Sequence, residues 1–309
     1  MLELAIDVAK HRGDRRAELR SRVNLFAPLW LSGRVAEAHR CADDALVLAR
    51  VLNDRTREGV CLDNIGTVLT NQGHYAAALA MHEQALEIHR AAGNIRQQSA
   101  VFTNIGQVHD ALARHDQALA AAESALAAIR SIGTESREVI PMINIGVAQA
   151  HLGRAEAAID TLATASAAAS RIGMPRGVAA AELALADVLR RLGRIDEAAD
   201  RAATASRQLD QLDTPAIRAE LHHVVGDIHD ARGEWSQAAA QHQIALDQAR
   251  ALGDHRQIVA ALRGLGTARL HCGDVPAAET LLREALSLAE RSDMPQAGQI
   301  RTDLAAVTR

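Results

Sequence analysis

The sequence predicts an all-α fold, a right-handed α-solenoid of seven helix-turn-helix units with a partial helix before them and a capping helix after. Three observations predict it. Alanine supplies 65 of the 309 residues, about 21%, and aromatic residues only 2%. Ala is the best intrinsic helix former and lets backbones approach closely, whereas strands favour the β-branched and aromatic types that are scarce here. Small residues recur every forty positions: Ala38, Ala78, Ala118, Ala158, Ala198, Ala238 and Ala278 form one unbroken column, and Ala5, Ala45, Ala85, Ala125, Ala165, Ala205, Ala245 and Ala285 another. Helix punctuation keeps the same period. Gly33, Gly73, Gly153, Gly193, Gly233 and Gly273 end the first helix of each unit, broken only by Ala113, and Gly13, Gly93, Gly133, Gly173 and Gly253 end the second, where a C′ residue takes φ > 0.

The elements follow in order. Residues 1–13 are a partial repeat helix running from Leu2 to Arg12. A helix without its hairpin partner exposes the repeat seam, which reads as truncation of a longer chain or contact with a preceding domain. Repeats one to seven then occupy 14–53, 54–93, 94–133, 134–173, 174–213, 214–253 and 254–293. Asp14, Asp54, Asn94, Thr134, Thr214 and Asp254 hold the N-cap phase, and Pro175, Pro215 and Pro295 follow at the next position, where the missing N–H costs nothing. Between starts and stops lie about 17–18 residues, roughly 27 Å of helix. Residues 294–309 form the capping helix that covers the last unit.

Small side chains in register have a steric reason: antiparallel helices must come within about 8–10 Å. The adjacent column, Leu25, Ile65, Ile105, Ile145, Leu185, Val225 and Leu265, is aliphatic and supplies a buried seam. Asn64-Ile65-Gly66, Asn104-Ile105-Gly106 and Asn144-Ile145-Gly146 repeat as tripeptides, and Ala186 stands where the glycine column would continue. Pro28 and Pro141 fall inside helices, where proline removes a hydrogen bond and kinks the axis. The helix after Thr134 therefore starts late or bends.

Gly66, Gly73, Tyr75, Ala78 and Ala85, with their equivalents every forty residues, resemble the small and aromatic positions of the tetratricopeptide repeat (TPR). The spacing is similar to the longer-helix variety in kinesin light chains, Pins-type adaptors and, above all, the C-terminal arms of bacterial AfsR-like and other STAND regulators. That resemblance covers the whole chain and implies a concave surface that holds peptides. A stripe at i, i+3 and i+7 along each first helix would line it: Asn64, Thr67 and Asn71; Asn104 and Gln107; Asn144 and His151; Asp187 and Arg191; Asp227; Thr267 and His271. The upper half of the stripe is rich in amides and the lower half ionic. The column Asn24, Asn64, Asn104, Asn144 is costly in mid-helix, by about 0.5–0.7 kcal/mol each relative to Ala. An amide can donate and accept at once, so such a ladder either grips the main chain of an extended peptide or bonds adjacent repeats to set their stacking.

Composition excludes several function classes. Net charge is −4, with no concentrated basic face for nucleic acid. No run approaches 18 apolar residues, and no signal peptide opens the chain. Three cysteines without metal-ligand spacing fit a reducing cytoplasm. No cofactor motif, phosphate loop, nucleophile elbow or catalytic triad pattern is present, so no enzyme is expected. His222, His223 and His229 read as surface or packing residues and not as a metal site. Phe26, Pro28 and Trp30 break the first repeat, either as a docking surface for a neighbouring domain or a second subunit of a homodimer, or as a worn terminal repeat. The expected function is a peptide- or protein-binding scaffold, the sensor or interaction arm of a larger bacterial regulator; a free-standing adaptor or peptide receptor is the alternative.

Overall fold

A computed structural model describes residues 1–210, 212 and 214–307. Helix α1 (Leu2–His11) precedes seven antiparallel hairpins: α2 (Arg15–Leu31) with α3 (Val35–Val51), α4 (Arg55–Asn71) with α5 (Tyr75–Ala91), α6 (Ile95–Ala111) with α7 (His115–Arg130), α8 (Val139–His151) with α9 (Ala155–Arg171), α10 (Pro175–Arg191) with α11 (Ile195–Leu209), α12 (Pro215–Ala231) with α13 (Trp235–Leu252), and α14 (His255–His271) with α15 (Val275–Arg291). Helix α16 (Ala297–Val307) caps the stack. Asp14, Asp54, Asn94 and Asp254 accept the N-terminal amide hydrogen bond that the cap phase anticipates. Where a stop lacks glycine the backbone still turns left-handed, at Asn53 (φ 52°), Ala113 (φ 53°) and Asp293 (φ 49°). A 3-10 turn over Glu135–Arg137 delays α8, so Pro141 falls in its first turn; of the two alternatives for that helix, the late start is the one adopted. Pro28 sits inside α2, which continues past it to Leu31.

Packing explains the columns as knobs and holes. A methyl at Gly66 would lie 2.6 Å from His82, at Gly146 2.5 Å from Leu162, at Gly226 2.6 Å from His242 and at Gly266 3.0 Å from Leu282. Each knob stands sixteen residues after its hole. Ala186 needs no glycine because position 202 is Ala, and both are buried. The first repeat reverses the roles: Phe26 is the knob and Ala42 the small partner, in one buried cluster with Leu29, Ala38, Cys41 and Ile65. Phe26 is only 6% exposed and fills the repeat's own core. Trp30 stacks on it with ring centroids 6.0 Å apart.

The spiral also closes on itself. The turn after α2 reaches the start and end of repeat six, where a methyl at Gly33 would lie 2.9 Å from Leu252 Cδ2 and 3.6 Å from Pro215 Cγ. The turn after α4 meets repeat seven, where a methyl at Gly73 would lie 2.5 Å from Ser292 Oγ. The Asn71 amide nitrogen, in the orientation that satisfies both its polar atoms, donates to Gly253 O at 3.0 Å and Leu252 O at 3.3 Å. Tyr75 joins the buried cluster of α13 to α16. Repeats five apart in sequence therefore touch, and the inner wall encloses a lumen where an open trough was expected.

Candidate functional site

The inner wall is built from the first helices of the hairpins, and it forms two joined chambers that share Asp110, Val147, Ala184, Glu220 and Arg256. The smaller, about 390 Å³, sets the amides and hydroxyls of Thr67, Asn71, Asn104, Gln107 and Asn144 among apolar side chains such as Trp30, Ile140 and Ile143. The larger, about 810 Å³, is ionic and includes His151, Asp187, Arg191, Asp227 and Thr267. Both volumes lie in the range of small-molecule and peptide sites.

Ten of the thirteen residues of the stripe and the amide column thus meet the lumen. Three do not. Asn24 is exposed and Asn64 lines neither chamber; neither makes a side-chain hydrogen bond among the described residues. His271, exposed, stacks on Trp235 with centroids 3.9 Å apart and lines neither chamber. The amide column also divides in its roles. Asn104 Nδ2 donates to both Asp63 oxygens at 3.0 and 3.1 Å, and Asn144 Nδ2 to Thr103 O at 3.5 Å, each across one repeat boundary. Those two amides bond neighbouring repeats, the second of the ladder's two readings, and Asn71 is committed to the closure contact.

Ion pairs organise the larger chamber. Arg190 reaches Asp187 at 2.7 Å and Asp227 at 3.3 Å, and Arg191 reaches Asp187 at 2.6 Å. Burial alone would raise the Asp187 carboxyl, but the two guanidiniums outweigh it and hold the group below its ordinary value. Tyr75, buried with its hydroxyl unpartnered, is pushed up to about 12 by burial. Between the chambers stand Arg256 and Glu220. Arg256 is exposed to the lumen and makes no hydrogen bond or ion pair within 4 Å among the described residues; Asp254, Glu220 and Asp110 act on it only at longer range. The Glu220 carboxyl likewise has no direct partner there, and burial pushes it up. Sequence reasoning missed both. A signal existed for Glu220, the one acid in the column Val60, Ala100, Ile140, Ala180, Glu220, Ala260.

Among the described residues, two groups of side chains carry metal-ligand atoms close together: Asp110 with His115 and His151, and His223 with Asp227 and His242. The other histidines weighed from the sequence serve packing and surface bonds, His222 to Gln241 at 2.8 Å and His229 to Glu234 at 2.5 Å. No helix among the described residues is long and apolar enough to cross a membrane.

Comparison with known proteins agrees with this architecture. The profile described as tetratricopeptide repeat matches residues 27–91, 62–131 and 138–211, more than half of the chain. No curated protein matches the sequence significantly. Among solved structures, a Rap protein complexed with Competence and Sporulation Factor is 12% identical, with a TM-score of 0.61 over 94% of this chain and 98% of that one. NprR in complex with its cognate peptide NprX is 13% identical, TM-score 0.61, over 94% and 83%. A STAND protein with a tetratricopeptide repeat sensor from Pyrococcus horikoshii is 13% identical, TM-score 0.58, over 99% of this chain and 45% of that one. At these identities the likeness is one of fold.

Proposed function

We propose that this chain, which belongs to the tetratricopeptide repeat family, is a peptide receptor whose closed lumen captures a short linear segment and reports its presence to an attached or docked regulatory domain. One observation carries the reading. Arg256 and Glu220 project a guanidinium and a carboxyl into the lumen where its two chambers join, without a direct partner of their own. Burial disfavours the ionised Glu220 carboxyl unless something pairs with it, and the Arg256 guanidinium keeps all its donors free for a ligand. A peptide supplies both complements, a carboxylate for Arg256 and an N–H donor or cation for Glu220, while Gln107 in the smaller chamber offers an amide to its backbone. The peptide complexes of Rap and NprR support that ligand class, and the STAND sensor supports the role as an arm.

Reporting would work by population shift. A ligand that bridges walls drawn from repeats three to seven favours the closed spiral, and the closure contacts join repeats one and two to six and seven. Exposed apolar side chains concentrate at α1 and the first repeat: Leu4, Val8, Leu31, Val47 and Val51 are each at least 42% exposed. That end is where a switch domain would dock.

Selection of a displayed library of random linear peptides against the chain, counter-selected with Arg256→Met, tests the reading. The expected outcome is a family of short acidic peptides whose affinity falls at least about tenfold, 1.4 kcal/mol, on Arg256→Met. Peptides that bind parent and variant equally, or no enrichment over the variant, would reject it.

A further inference from the structure

We propose that Asp110, His115 and His151 form a site for one divalent transition-metal ion of the zinc class on the wall of the larger chamber. The site would exist whether or not the lumen takes a peptide. Asp110 lies one residue before the end of α6, His115 opens α7 beyond the left-handed turn at Ala113, and His151 closes α8. Three helix ends, from repeats three and four, therefore converge.

The separations are those of ligands around an ion. Asp110 Oδ1 is 2.8 Å from His151 Nδ1 and 3.3 Å from His115 Nδ1, and the three donor atoms lie within 4.8 Å of one another. Two ligands each about 2.0–2.1 Å from zinc are about 3.3 Å apart at a tetrahedral angle and about 2.9 Å at a right angle. Two imidazoles and a carboxylate are a donor set for zinc, cobalt or nickel. Binding would use the tautomer of each neutral ring that carries its proton on Nε2 and leaves the Nδ1 lone pair for the ion, and the rings already lean together with centroids 4.4 Å apart. All three side chains are about one-fifth exposed and line the chamber, so the ion enters from the lumen and keeps a coordination position facing it.

The combination is local to this joint. Two metal-binding imidazoles meet there because positions 115 and 151 both carry His; the corresponding trio three repeats on is Asp230, Trp235 and His271, where the indole offers no ligand and simply stacks. The second cluster suits a cation less well. Asp227 is already paired with Arg190 at 3.3 Å, and His242 is fully buried beneath Gly226 and Gly264 with Nε2 3.0 Å from Asp230. At the proposed site the facing cation is Arg256, which acts on Asp110 across the chamber without bonding to it.

The test uses the full chain stripped of metal by chelator. Co²⁺ is titrated by visible absorption and Zn²⁺ by calorimetry at neutral pH, in the parent and in Asp110→Asn, His115→Gln and His223→Gln. The expected result is one equivalent bound, weakened at least about tenfold by the first two substitutions and unchanged by His223→Gln. Zinc should also raise the melting temperature of the parent and not of His115→Gln. His115 is partly exposed at a helix start, so that variant decides the matter even if Asp110→Asn fails to fold. Absence of saturable binding, retention of full affinity in His115→Gln, or loss in His223→Gln instead overturns the proposal. Failure of the peptide selection leaves it standing.

Discussion

Closure of the spiral can be tested with a pair of glycines that share a backbone strain and differ only in what they touch. Gly73 (φ +74°) and Gly193 (φ +76°) both end first helices in the left-handed region. An alanine at either position carries the same conformational penalty, about 1–2 kcal/mol. At Gly193 the new methyl meets nothing within 4 Å, whereas at Gly73 it would lie 2.5 Å from Ser292 Oγ, 2.7 Å from Ser292 Cβ and 3.3 Å from His255 Nδ1. Overpacking of that kind adds about 1–3 kcal/mol, giving roughly 2–5 kcal/mol in total for Gly73→Ala. The extra cost cannot exceed the free energy of the closure itself, because past that point the ends separate. Denaturant unfolding would then show Gly73→Ala less stable than Gly193→Ala, and small-angle scattering would show a larger radius of gyration for Gly73→Ala alone. Gly33→Ala, 2.9 Å from Leu252 Cδ2, should behave like Gly73→Ala, and Gly153→Ala like Gly193→Ala. Equal stability and equal scattering for the 73 and 193 variants would refute the closed spiral.

Leu162→Ala empties the knob beneath Gly146 and should cost about 3 kcal/mol, measured by urea unfolding. Ala113→Gly relieves a left-handed alanine and should stabilise by about 1 kcal/mol in the same assay. Burial raises the Glu220 carboxyl above its ordinary 4.5, so the folded chain holds that proton more tightly than the unfolded one and loses stability as pH rises from about 4.5 through the raised value. Glu220→Gln should therefore gain on the parent more at pH 7 than at pH 4 in thermal melts; an equal difference at both would contradict the assignment.

Local chemistry made the hairpins legible. A capping Asp or Asn and a left-handed stop act within one turn of the residue that carries them, so Asp54, Asn94 and Gly93 announce their helix ends wherever the rest of the chain lies. The knob-and-hole pairing was readable in principle, since Gly66 and His82 or Gly146 and Leu162 keep a sixteen-residue offset. Closure was not. Asn71 meets Gly253 about 180 residues on, and whether such turns meet depends on small rotations accumulated over five repeats, which no column records. The same limit applies to the amide column. Asn64, Asn104 and Asn144 are equivalent in register, yet only where Asp63 or the Thr103 carbonyl stands opposite does the amide find a partner. Identity at a repeated position fixes the side chain offered, and the neighbouring repeat decides what receives it.

The closure changes how the repeats can communicate. In an open solenoid each unit touches only its neighbours, and a disturbance at one end decays along the stack. Here Gly33 and Asn71 tie the first two units to the sixth and Gly73 ties the second to the seventh, so bending at any joint between them must either strain or break that contact. A ligand in the lumen and a metal ion at the joint of repeats three and four would act on the same closed-or-open equilibrium, although they touch different side chains. Each shifts it only by the difference between its affinities for the two forms. Reciprocity follows: if zinc favours the closed form and so does a peptide, each must tighten the other's binding by the same factor. The exposed apolar side chains of α1 to α3 lie at the unit that the closure contact holds, which places the proposed output beside the latch.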